Sequence, residues 1–388
     1  MAHVLITSPD ALIDPRTDRW YDGLEQALKF FQSQNPDNLV IVLSRSNEKL
    51  KDVPDTYNPV QLPGKVRGSG KVIDALLKQF PNLSERDIFI LGANDADMVT
   101  AFNGRVLLLT AAYAPTDSRI HSPGYGIKIS SPEKVEEFFR YFLQITDPWY
   151  YQIEIDEQAT LYTLTNANTF GRGSDVVKLN EAFRECLKEG AEDYHNTFMV
   201  YALMSMQSEQ TIDIFRGVDA WGVYPSSSTG PNPILEQFKE LFRINYGSRF
   251  KQPILLRKSD TLPRHRQKKD TRVAIGCDNQ LETIIVNPKA KAKVNGKTVC
   301  IIDDFTTYGT SCETTRILLT EAGAEKIIFV TMGKYGREYY RYSYQIQGNV
   351  FGQFEYARTG DYEEIGNNGI FNQGATTDIR QAIGPLLA

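Results

Sequence analysis

The hydrophobic positions of this chain fall into short apolar runs that alternate with segments of helical spacing. In the first part of the chain, each run of consecutive apolar residues is followed by a segment whose apolar residues recur every three or four positions. This alternation is typical of an α/β fold with a parallel sheet. We predict the following elements: strands 3–7, 39–43, 87–91 and 105–109, and helices 24–33, 72–80 and 132–143.

A turn-rich segment, ITDPWYY, ends this first part near residue 148. After it we expect helical segments first, at 175–188 and 194–206. Further strands and helices follow at 220–224, 232–242 and 254–257. A chain of 388 residues exceeds the usual size of one domain. The sequence therefore predicts two α/β domains, residues 1–148 and 149–388.

The clearest pattern is TVCIIDDFTTYGTSCETTRILLTEAGAEKIIFVTM, which begins at Thr298. Residues 299–302 predict a buried strand, 314–322 a helix that ends before a glycine, and 326–332 a second buried strand. Together they form one βαβ unit of a parallel sheet. Ligands of such sheets bind beyond the carboxyl ends of the strands, which is where Asp303 and Asp304 follow the apolar run.

The turn after these acids combines hydroxyl groups with a glycine. A turn that leads from a strand into a helix presents backbone N–H groups, and the positive helix end, to an anion such as phosphate. Gly309 allows close approach, while Thr307, Thr310 and Ser311 add hydroxyl groups. Two carboxylates would repel a bare anion, so they must serve another part of the same ligand. A sugar phosphate satisfies both needs, because its hydroxyls can donate to the acids.

The string CIIDDFTTYGTSCET resembles the phosphoribosyl pyrophosphate (PRPP) loop of type I phosphoribosyltransferases. The resemblance implies a catalytic pair, Asp303 and Asp304. It implies a binding site for the 5′-phosphate at Thr307, Tyr308, Gly309, Thr310 and Ser311. Tyr308 stands where the family usually has a second threonine. The resemblance also implies a parallel sheet with a small hood, and a Mg²⁺ ion held mainly through PRPP.

Further parts of the second domain are similar to ComF-like members of this family. The resemblance implies pyrophosphate contacts from the Pro-Ser-rich turn 225–230 and from the end of a strand. The residues are Pro225, Ser226, Ser227, Arg257 and Lys258. It further implies that Lys334 and Tyr335, after the last strand of the βαβ unit, contact the acceptor base. These two residues are as readily explained as core and surface positions.

The first domain is similar in order and spacing to haloacid dehalogenase (HAD) hydrolases. The matching positions are Ser8, Asp10, Ser44, Lys71 and Asp97. Ser8 stands where that family has its nucleophilic aspartate, and Ala93 replaces an acid of the metal site. Because serine cannot form the aspartyl-phosphate, the resemblance implies a degenerate domain used for binding or assembly, as a homo-oligomer or with another protein. The alternative is an unrelated α/β domain.

Composition limits the other classes. The net charge of −5 argues against wholesale coating of nucleic acid, but segment 257–297 is rich in lysine and arginine and offers a local nucleic-acid surface. The four cysteines, Cys186, Cys277, Cys300 and Cys312, show no CxxC spacing. No stretch is apolar enough to span a membrane, and no leader is evident. We expect a soluble cytoplasmic protein.

These patterns favour a Mg²⁺-dependent phosphoribosyltransferase that transfers to a nitrogen of an unidentified base or nucleotide acceptor, with release of pyrophosphate. Two alternatives stay open. One is a regulator that binds PRPP or a nucleotide without catalysis, which the departure at Tyr308 favours. The other is an effector of a stress or phage-defence system, which the pairing with a degenerate HAD-like domain resembles.

Overall fold

The structure is a computed structural model. It describes residues 2–115, 119–121, 126–143, 145–169, 173–189, 195–227, 232–260, 268–375, 377 and 379. Contacts between Cα atoms divide the chain into two compact units. Unit 1 contains residues 1–144 and 244–247, and unit 2 contains residues 145–243 and 248–388. Both units are α/β in construction, as the hydrophobic pattern predicts.

Unit 1 is built on a sheet of six parallel strands in the order β5-β4-β1-β6-β7-β8, with β2 and β3 as a separate short antiparallel pair. Its strands are β1 (Val4–Thr7), β2 (Ile13–Asp14), β3 (Arg19–Trp20), β4 (Leu39–Ser44), β5 (Pro59–Gln61), β6 (Ile88–Gly92), β7 (Leu107–Ala111) and β8 (Ile127–Ile129). Its α-helices are α1 (Pro9–Leu12), α2 (Leu24–Ser33), α3 (Gly64–Arg67), α4 (Lys71–Gln79), α5 (Asp95–Gly104) and α6 (Pro132–Phe142).

The order of this sheet reverses between β1 and β6. The chain builds outward from β1 through β4 to β5, then returns to place β6 on the other side of β1. Both strands are completely buried, which explains their continuous apolar sequences. In open α/β sheets the crevice beyond such a reversal is the usual ligand position. It is here that the HAD-like positions Ser8, Asp10 and Asp97 follow β1 and β6.

Unit 2 is built on a mixed six-stranded sheet in the order β11-β14-β15-β10-β9-β20. Its strands are β9 (Tyr151–Glu154), β10 (Ala159–Asn166), β11 (Ala220–Val223), β12 (Leu255–Arg257), β13 (Ile284–Val286), β14 (Thr298–Thr306), β15 (Lys326–Lys334), β16 (Tyr340–Arg341), β17 (Tyr344–Gly348), β18 (Phe354–Arg358), β19 (Glu363–Glu364) and β20 (Ile370–Phe371). Its α-helices are α7 (Ser174–Arg184), α8 (His195–Met206), α9 (Ile212–Arg216), α10 (Pro233–Asn245), α11 (Lys269–Ile275), α12 (Asp278–Leu281), α13 (Lys291–Val294) and α14 (Thr310–Glu321).

The second sheet is mixed, whereas the resemblance implied a parallel sheet. Strands β11, β14, β15 and β10 are parallel, but β9 pairs antiparallel to β10, and β20 pairs antiparallel to β9. Strands β9 and β10 form a hairpin where helical material was expected to come first. The Asp156 carboxylate closes its turn, since it accepts hydrogen bonds from the N–H groups of Gln158 (2.9 Å) and Ala159 (2.8 Å).

The predicted βαβ unit is present as β14, α14 and β15, but its elements are longer than the apolar runs. Strand β14 continues through both acids to Thr306, because its pairing with β15 continues as far as Thr306 and Lys334. Helix α14 begins at Thr310 rather than at residue 314. The turn between strand and helix is therefore only Thr307, Tyr308 and Gly309, which brings the predicted phosphate site directly onto the helix N-terminus.

No helix in the part of the chain that the structure describes is both long and apolar enough to cross a membrane.

Candidate functional site

A cavity of about 420 Å³ lies at the carboxyl end of β14 in unit 2. It is lined by most of the residues that the sequence predicts for the second domain: Asp303, Asp304, Thr307, Tyr308, Gly309, Thr310, Ser311, Pro225, Ser226, Ser227, Arg257 and Tyr335. The acidic pair, the turn and the Pro-Ser segment after β11 thus share one space. Residues 228–230 of that segment lie outside the described residues.

The two acids are half-buried at the end of β14. The N–H of Asp304 donates to Asp303 Oδ1 at 2.9 Å. Burial, together with the neighbouring charge of Asp304, raises the pKa of Asp303 well above its usual range. A carboxyl group whose charge is disfavoured in this way gains from any partner that donates hydrogen bonds to it. Sugar hydroxyls are partners of this kind, and a cation stabilises the charged carboxylate by binding its oxygen directly.

Gly309 gives the turn its shape. Its φ of +80° lies in the left-handed region, and it immediately precedes the twelve-residue helix α14. A Cβ atom at this position would lie 2.3 Å from Cε2 of Tyr339, so any side chain would collide with that ring. The glycine therefore lets the chain turn tightly into the helix. The N-terminal N–H groups of α14 begin at the cavity wall, where a helix end favours an anion.

Tyr308, the position that departs from the usual threonine, packs against other side chains of unit 2. Its ring centroid lies 4.9 Å from the Arg272 guanidinium carbon and 5.9 Å from the ring centroid of Tyr340. Arg272 also lines the cavity, although it belongs to α11 and is far away in the sequence. A cation held over a tyrosine ring is an arrangement worth about 0.5–2 kcal/mol, depending on exposure. The tyrosine thus supports a positive charge at the cavity.

Arg257 lines the cavity but directs its donors into the protein. Its guanidinium group donates to the Ser226 carbonyl, to the Pro225 carbonyl (3.1 Å), to Gln280 Oε1 (2.9 Å) and to Thr283 Oγ1 (2.8 Å). This arrangement makes Arg257 the residue that holds the turn after β11 in place. Lys258, its neighbour, is exposed, lies 5.7 Å from the ring centroid of Phe354 and is not among the residues of the cavity wall.

The two predicted acceptor residues have different environments. Tyr335 lines the cavity beside Phe305, with 5.6 Å between the ring centroids. Burial, followed by the charge of Asp304, raises the pKa of its hydroxyl. Lys334 points into the interior, is 0% exposed and does not line the cavity. The geometry therefore leaves Tyr335 available to a ligand and gives Lys334 to the protein itself.

A buried charged network lies behind the turn. Glu313 of α14 accepts hydrogen bonds from Arg316 (2.7 Å), from the Tyr339 hydroxyl (3.1 Å) and from the Tyr342 N–H (2.9 Å). Arg316 also contacts Asp156 at 3.1 Å. This network holds the ring that covers Gly309. The pattern of the sequence did not reveal it, because Glu313 and Arg316 look like an ordinary exposed pair on a helix.

The lysines of the basic segment are exposed or half-buried in the part that the structure describes, and they differ in their partners. Lys269 is paired with Glu338 at 2.8 Å. Lys289, Lys291 and Lys293 are exposed on and before the short helix α13. Among the described residues of this segment, these three exposed lysines offer a surface to an external polyanion.

Among the HAD-like positions of unit 1, Ser8 and Asp97 are in direct contact. The hydroxyl of Ser8, which is 0% exposed, donates to Asp97 Oδ2 at 2.7 Å, and the N–H of Ala93 donates to the same oxygen at 3.1 Å. The other oxygen forms an ion pair with Arg67, which is 6% exposed. Lys71, the expected cation, is exposed at the start of α4. Arg67, four residues earlier, takes the place beside the acid.

Asp10 and Ser44 complete the picture of this crevice. Asp10 accepts hydrogen bonds from Lys49 (2.7 Å) and Asn94 (2.8 Å). Ser44 is buried at the end of β4, and its oxygen accepts from the N–H of Ser46 at 3.1 Å. Both carboxylates of the crevice therefore have protein partners already. Within the described residues of the whole chain, no group of three or more His, Cys, Asp or Glu side chains could hold a metal ion.

A scan against protein-family models gives no match to this chain, and a search of the curated proteins gives none either.

Proposed function

We propose that unit 2 is a Mg²⁺-dependent phosphoribosyltransferase that uses PRPP and transfers its ribose 5-phosphate to a nitrogen of an unidentified acceptor. One observation supports the proposal most. Two adjacent acids and an anion-binding turn at a helix N-terminus face the same cavity of about 420 Å³, together with the Pro-Ser turn after β11. This combination fits a ligand that carries a phosphate, hydroxyl groups and a second anionic group on one sugar.

Different residues of the site would bind different parts of PRPP. The backbone of residues 307–311, at the start of α14, would bind the 5′-phosphate. Asp303 and Asp304 would accept hydrogen bonds from the ribose hydroxyls. The turn at 225–227, held by Arg257, and the guanidinium of Arg272 would lie on the pyrophosphate side. The protein would thereby orient the sugar carbon towards the acceptor, which is the main contribution that positioning can make.

Magnesium fits this site as a partner of the ligand. Mg²⁺ keeps several waters and commonly binds through one or two carboxylates plus substrate phosphates. The half-buried pair of acids supplies such carboxylates, and the wall of the cavity described above offers no further acid. The metal would neutralise charge on the leaving pyrophosphate. Asp303 or Asp304 would hold it from the protein side.

The alternative is a regulator that binds PRPP or a nucleotide without transfer. It is favoured by the contact of Tyr308 with Arg272, because a tyrosine ring replaces a hydroxyl contact to the 5′-phosphate and supports a cation instead. Such a site could retain affinity and lose turnover. Binding and pyrophosphate release must therefore be measured separately.

Calorimetry with PRPP and Mg²⁺ tests binding, and a pyrophosphate assay with a panel of purine, pyrimidine and other nitrogen acceptors tests transfer. We expect the wild type to bind PRPP and the variants Asp303→Asn and Asp304→Asn to lose about ten- to a hundredfold in affinity. Glu363→Gln, on the exposed surface of unit 2, is the control. Equal affinities in all four proteins would refute the site. Binding without pyrophosphate release would favour the regulator.

For unit 1 we propose a degenerate HAD-like domain that serves binding or assembly. The support is that Ser8, which the resemblance aligns with the nucleophile, donates a hydrogen bond to Asp97, while Arg67 forms an ion pair with the same carboxylate. The carboxylate that could activate this hydroxyl is thus engaged by Arg67, and the hydroxyl itself is buried.

A further inference from the structure

Lys334 is a buried lysine whose hydrogen bonds, within the described part of the chain, all go to main-chain carbonyls. It is the last residue of β15, and its ammonium group donates to the carbonyl oxygens of Thr307 (2.6 Å), Glu338 (2.8 Å) and Tyr335 (3.0 Å). An ammonium group has three N–H donors, so these three carbonyls use all of them. The nitrogen also lies 5.6 Å from the ring centroid of Tyr151.

These carbonyls come from both sides of the candidate site. Thr307 belongs to the turn that precedes α14, whereas Tyr335 and Glu338 belong to the segment after β15 that carries the ring of Tyr335 to the cavity. Burying one charge to join three carbonyls is costly, because an ammonium group in the interior loses its hydration. A site that needs two segments held in a fixed relation gives a physical reason to keep that charge.

The contact with Thr307 also fixes the direction of a neighbouring N–H group. The peptide bonds of the described residues are all trans, so the carbonyl of Thr307 and the N–H of Tyr308 point in opposite directions within the plane of one peptide unit. The carbonyl points inward to Lys334, and the N–H consequently points away from it. A positive charge on the carbonyl oxygen also polarises the peptide and strengthens its N–H as a donor.

We propose that Lys334 is a positioning residue for the sugar-phosphate site. It orients the Thr307–Tyr308 peptide so that the Tyr308 N–H donates a hydrogen bond to the 5′-phosphate. This inference rests on the proposed function in one respect only, namely that the turn binds the phosphate of a sugar phosphate. It replaces a direct contact between Lys334 and the acceptor base with an indirect action on the other end of the ligand.

Ribose 5-phosphate is the probe, because it carries the 5′-phosphate without pyrophosphate. Lys334→Met keeps the approximate length of the side chain and removes its donors. We expect it to weaken the binding of ribose 5-phosphate by about ten- to a hundredfold. Lys326→Met is the matched control, since Lys326 begins the same strand, is exposed and donates to the Glu157 carbonyl at 2.7 Å. Equal affinity of wild type and Lys334→Met would overturn the proposal.

Lys334→Gln keeps two N–H donors and serves if the methionine variant does not fold. It also separates positioning from a merely structural role through the pH profile. Burial lowers the pKa of Lys334 to about 8. The affinity of wild type and of Lys326→Met for ribose 5-phosphate should therefore fall as the pH rises through about 8, whereas Lys334→Gln should lack this limb. The same limb in Lys334→Gln as in wild type would contradict the proposal.

The groups around the ammonium do not produce such a limb. Cys312 and Tyr151 have pKa values raised by burial and stay neutral, and Glu338 has a pKa lowered by its hydrogen bond from Lys269 and stays charged. Asp303 on the cavity side, whose pKa is also raised, is present in wild type and in the glutamine variant. Any pH dependence that it causes is therefore common to both, and the limb of Lys334 is the difference between them. The phosphate of the probe is already a dianion above a pH of about 7.

Failure of this inference can be told apart from failure of the proposed function. One outcome supports the inference and refutes the transferase: wild type binds ribose 5-phosphate more tightly than Lys334→Met does, but neither binds PRPP nor releases pyrophosphate. A wild type that transfers normally and a Lys334→Met variant that binds ribose 5-phosphate equally well support the transferase and refute the inference. A wild type that does not bind ribose 5-phosphate refutes the positioning role as well.

Discussion

The ring of Tyr339 occupies the space that a side chain at Gly309 would fill, with Cε2 only 2.3 Å from where a Cβ atom would stand. The Tyr339 hydroxyl donates to Glu313 at 3.1 Å, so the ring is held from behind by the charged network of α14. A glycine in the left-handed region and a fixed aromatic ring thus shape the turn jointly. Because position 309 has no side chain, the backbone of the turn can lie against the Tyr339 ring and still line the cavity.

We expect Gly309→Ala to destabilise the protein more than backbone strain alone explains. Gly296→Ala is the matched control, since Gly296 also has a positive φ (+65°) but would place its Cβ in open space. Strain at such positions costs roughly 1 kcal/mol, and forcing an extra group into a packed site adds about 1–3 kcal/mol. Urea denaturation of both variants measures the difference. Equal losses of unfolding free energy would show that the Tyr339 ring yields easily.

Asp303→Asn should stabilise the ligand-free protein at neutral pH, although it should weaken the binding of PRPP. The pKa of Asp303 is raised in the folded state, so its carboxyl group favours folding only while it is protonated. That contribution is lost as the pH rises from the ordinary value of the carboxyl pKa to the raised one. The uncharged amide should gain about 0.5–2 kcal/mol at pH 7.5.

Thermal unfolding at two pH values tests this sign. The advantage of Asp303→Asn over wild type should be present at pH 7.5 and shrink towards pH 4, where the wild-type carboxyl is protonated as well. Glu363→Gln, whose carboxylate is exposed, should show no such advantage. A variant less stable than wild type at pH 7.5 would mean that the Asp303 charge is stabilised in the folded protein.

The sequence predicted the βαβ unit and its acids because those signals are local. The apolar runs, the hydroxyl-rich turn and Gly309 are neighbours in the chain, and each has a direct consequence for the backbone. The contact between Arg272 and Tyr308 could not be predicted in the same way, since it depends on how α11 packs against the turn. The inward direction of the Lys334 side chain could not be predicted either, because it depends on a hydrogen bond to Thr307, which follows a different strand, β14.

The hairpin of β9 and β10 shows a different kind of failure. Tyr151, Ile153 and Ile155 are buried, with polar residues between them, so the strand pattern is present. The turn-rich ITDPWYY segment nevertheless indicated the end of the first domain, with helical segments expected after it. Pairing with β15 turned the hairpin into part of the sheet, which is a long-range effect that the local pattern does not contain.

Arg257→Ala should lower the stability of the protein as well as its affinity for PRPP. Four acceptors would each lose one hydrogen bond, including the carbonyls of Pro225 and Ser226, and we expect a loss of roughly 2–4 kcal/mol of unfolding free energy. Arg257→Lys should rescue little, because an ammonium group cannot reproduce the planar fork. Lys258→Ala, next to it and exposed, should stay within about 0.5 kcal/mol.

Ligand binding by the same variants locates the turn at 225–227. If this turn lies on the pyrophosphate side, Arg257→Ala should weaken the binding of PRPP and leave the affinity for ribose 5-phosphate nearly unchanged. Calorimetry with both ligands measures this difference. Equal weakening of both ligands would move the turn to the 5′-phosphate side. A variant that keeps wild-type stability would contradict the role of Arg257 in holding the turn.

The buried pair in unit 1 predicts a structural rather than a catalytic phenotype. Asp97→Ala leaves Arg67 buried and unpaired, which should cost about 3–5 kcal/mol, whereas Asp10→Ala removes an exposed partner of Lys49 and should cost less than about 1 kcal/mol. The double variant Arg67→Met/Asp97→Leu should recover part of the loss, because no charge is then left without a partner. Denaturation curves of the three variants decide between these outcomes, and a generic phosphate ester tests catalysis in parallel. Hydrolysis that Asp10→Ala abolishes would show that the crevice is an active phosphatase site, whatever the stability of the pair.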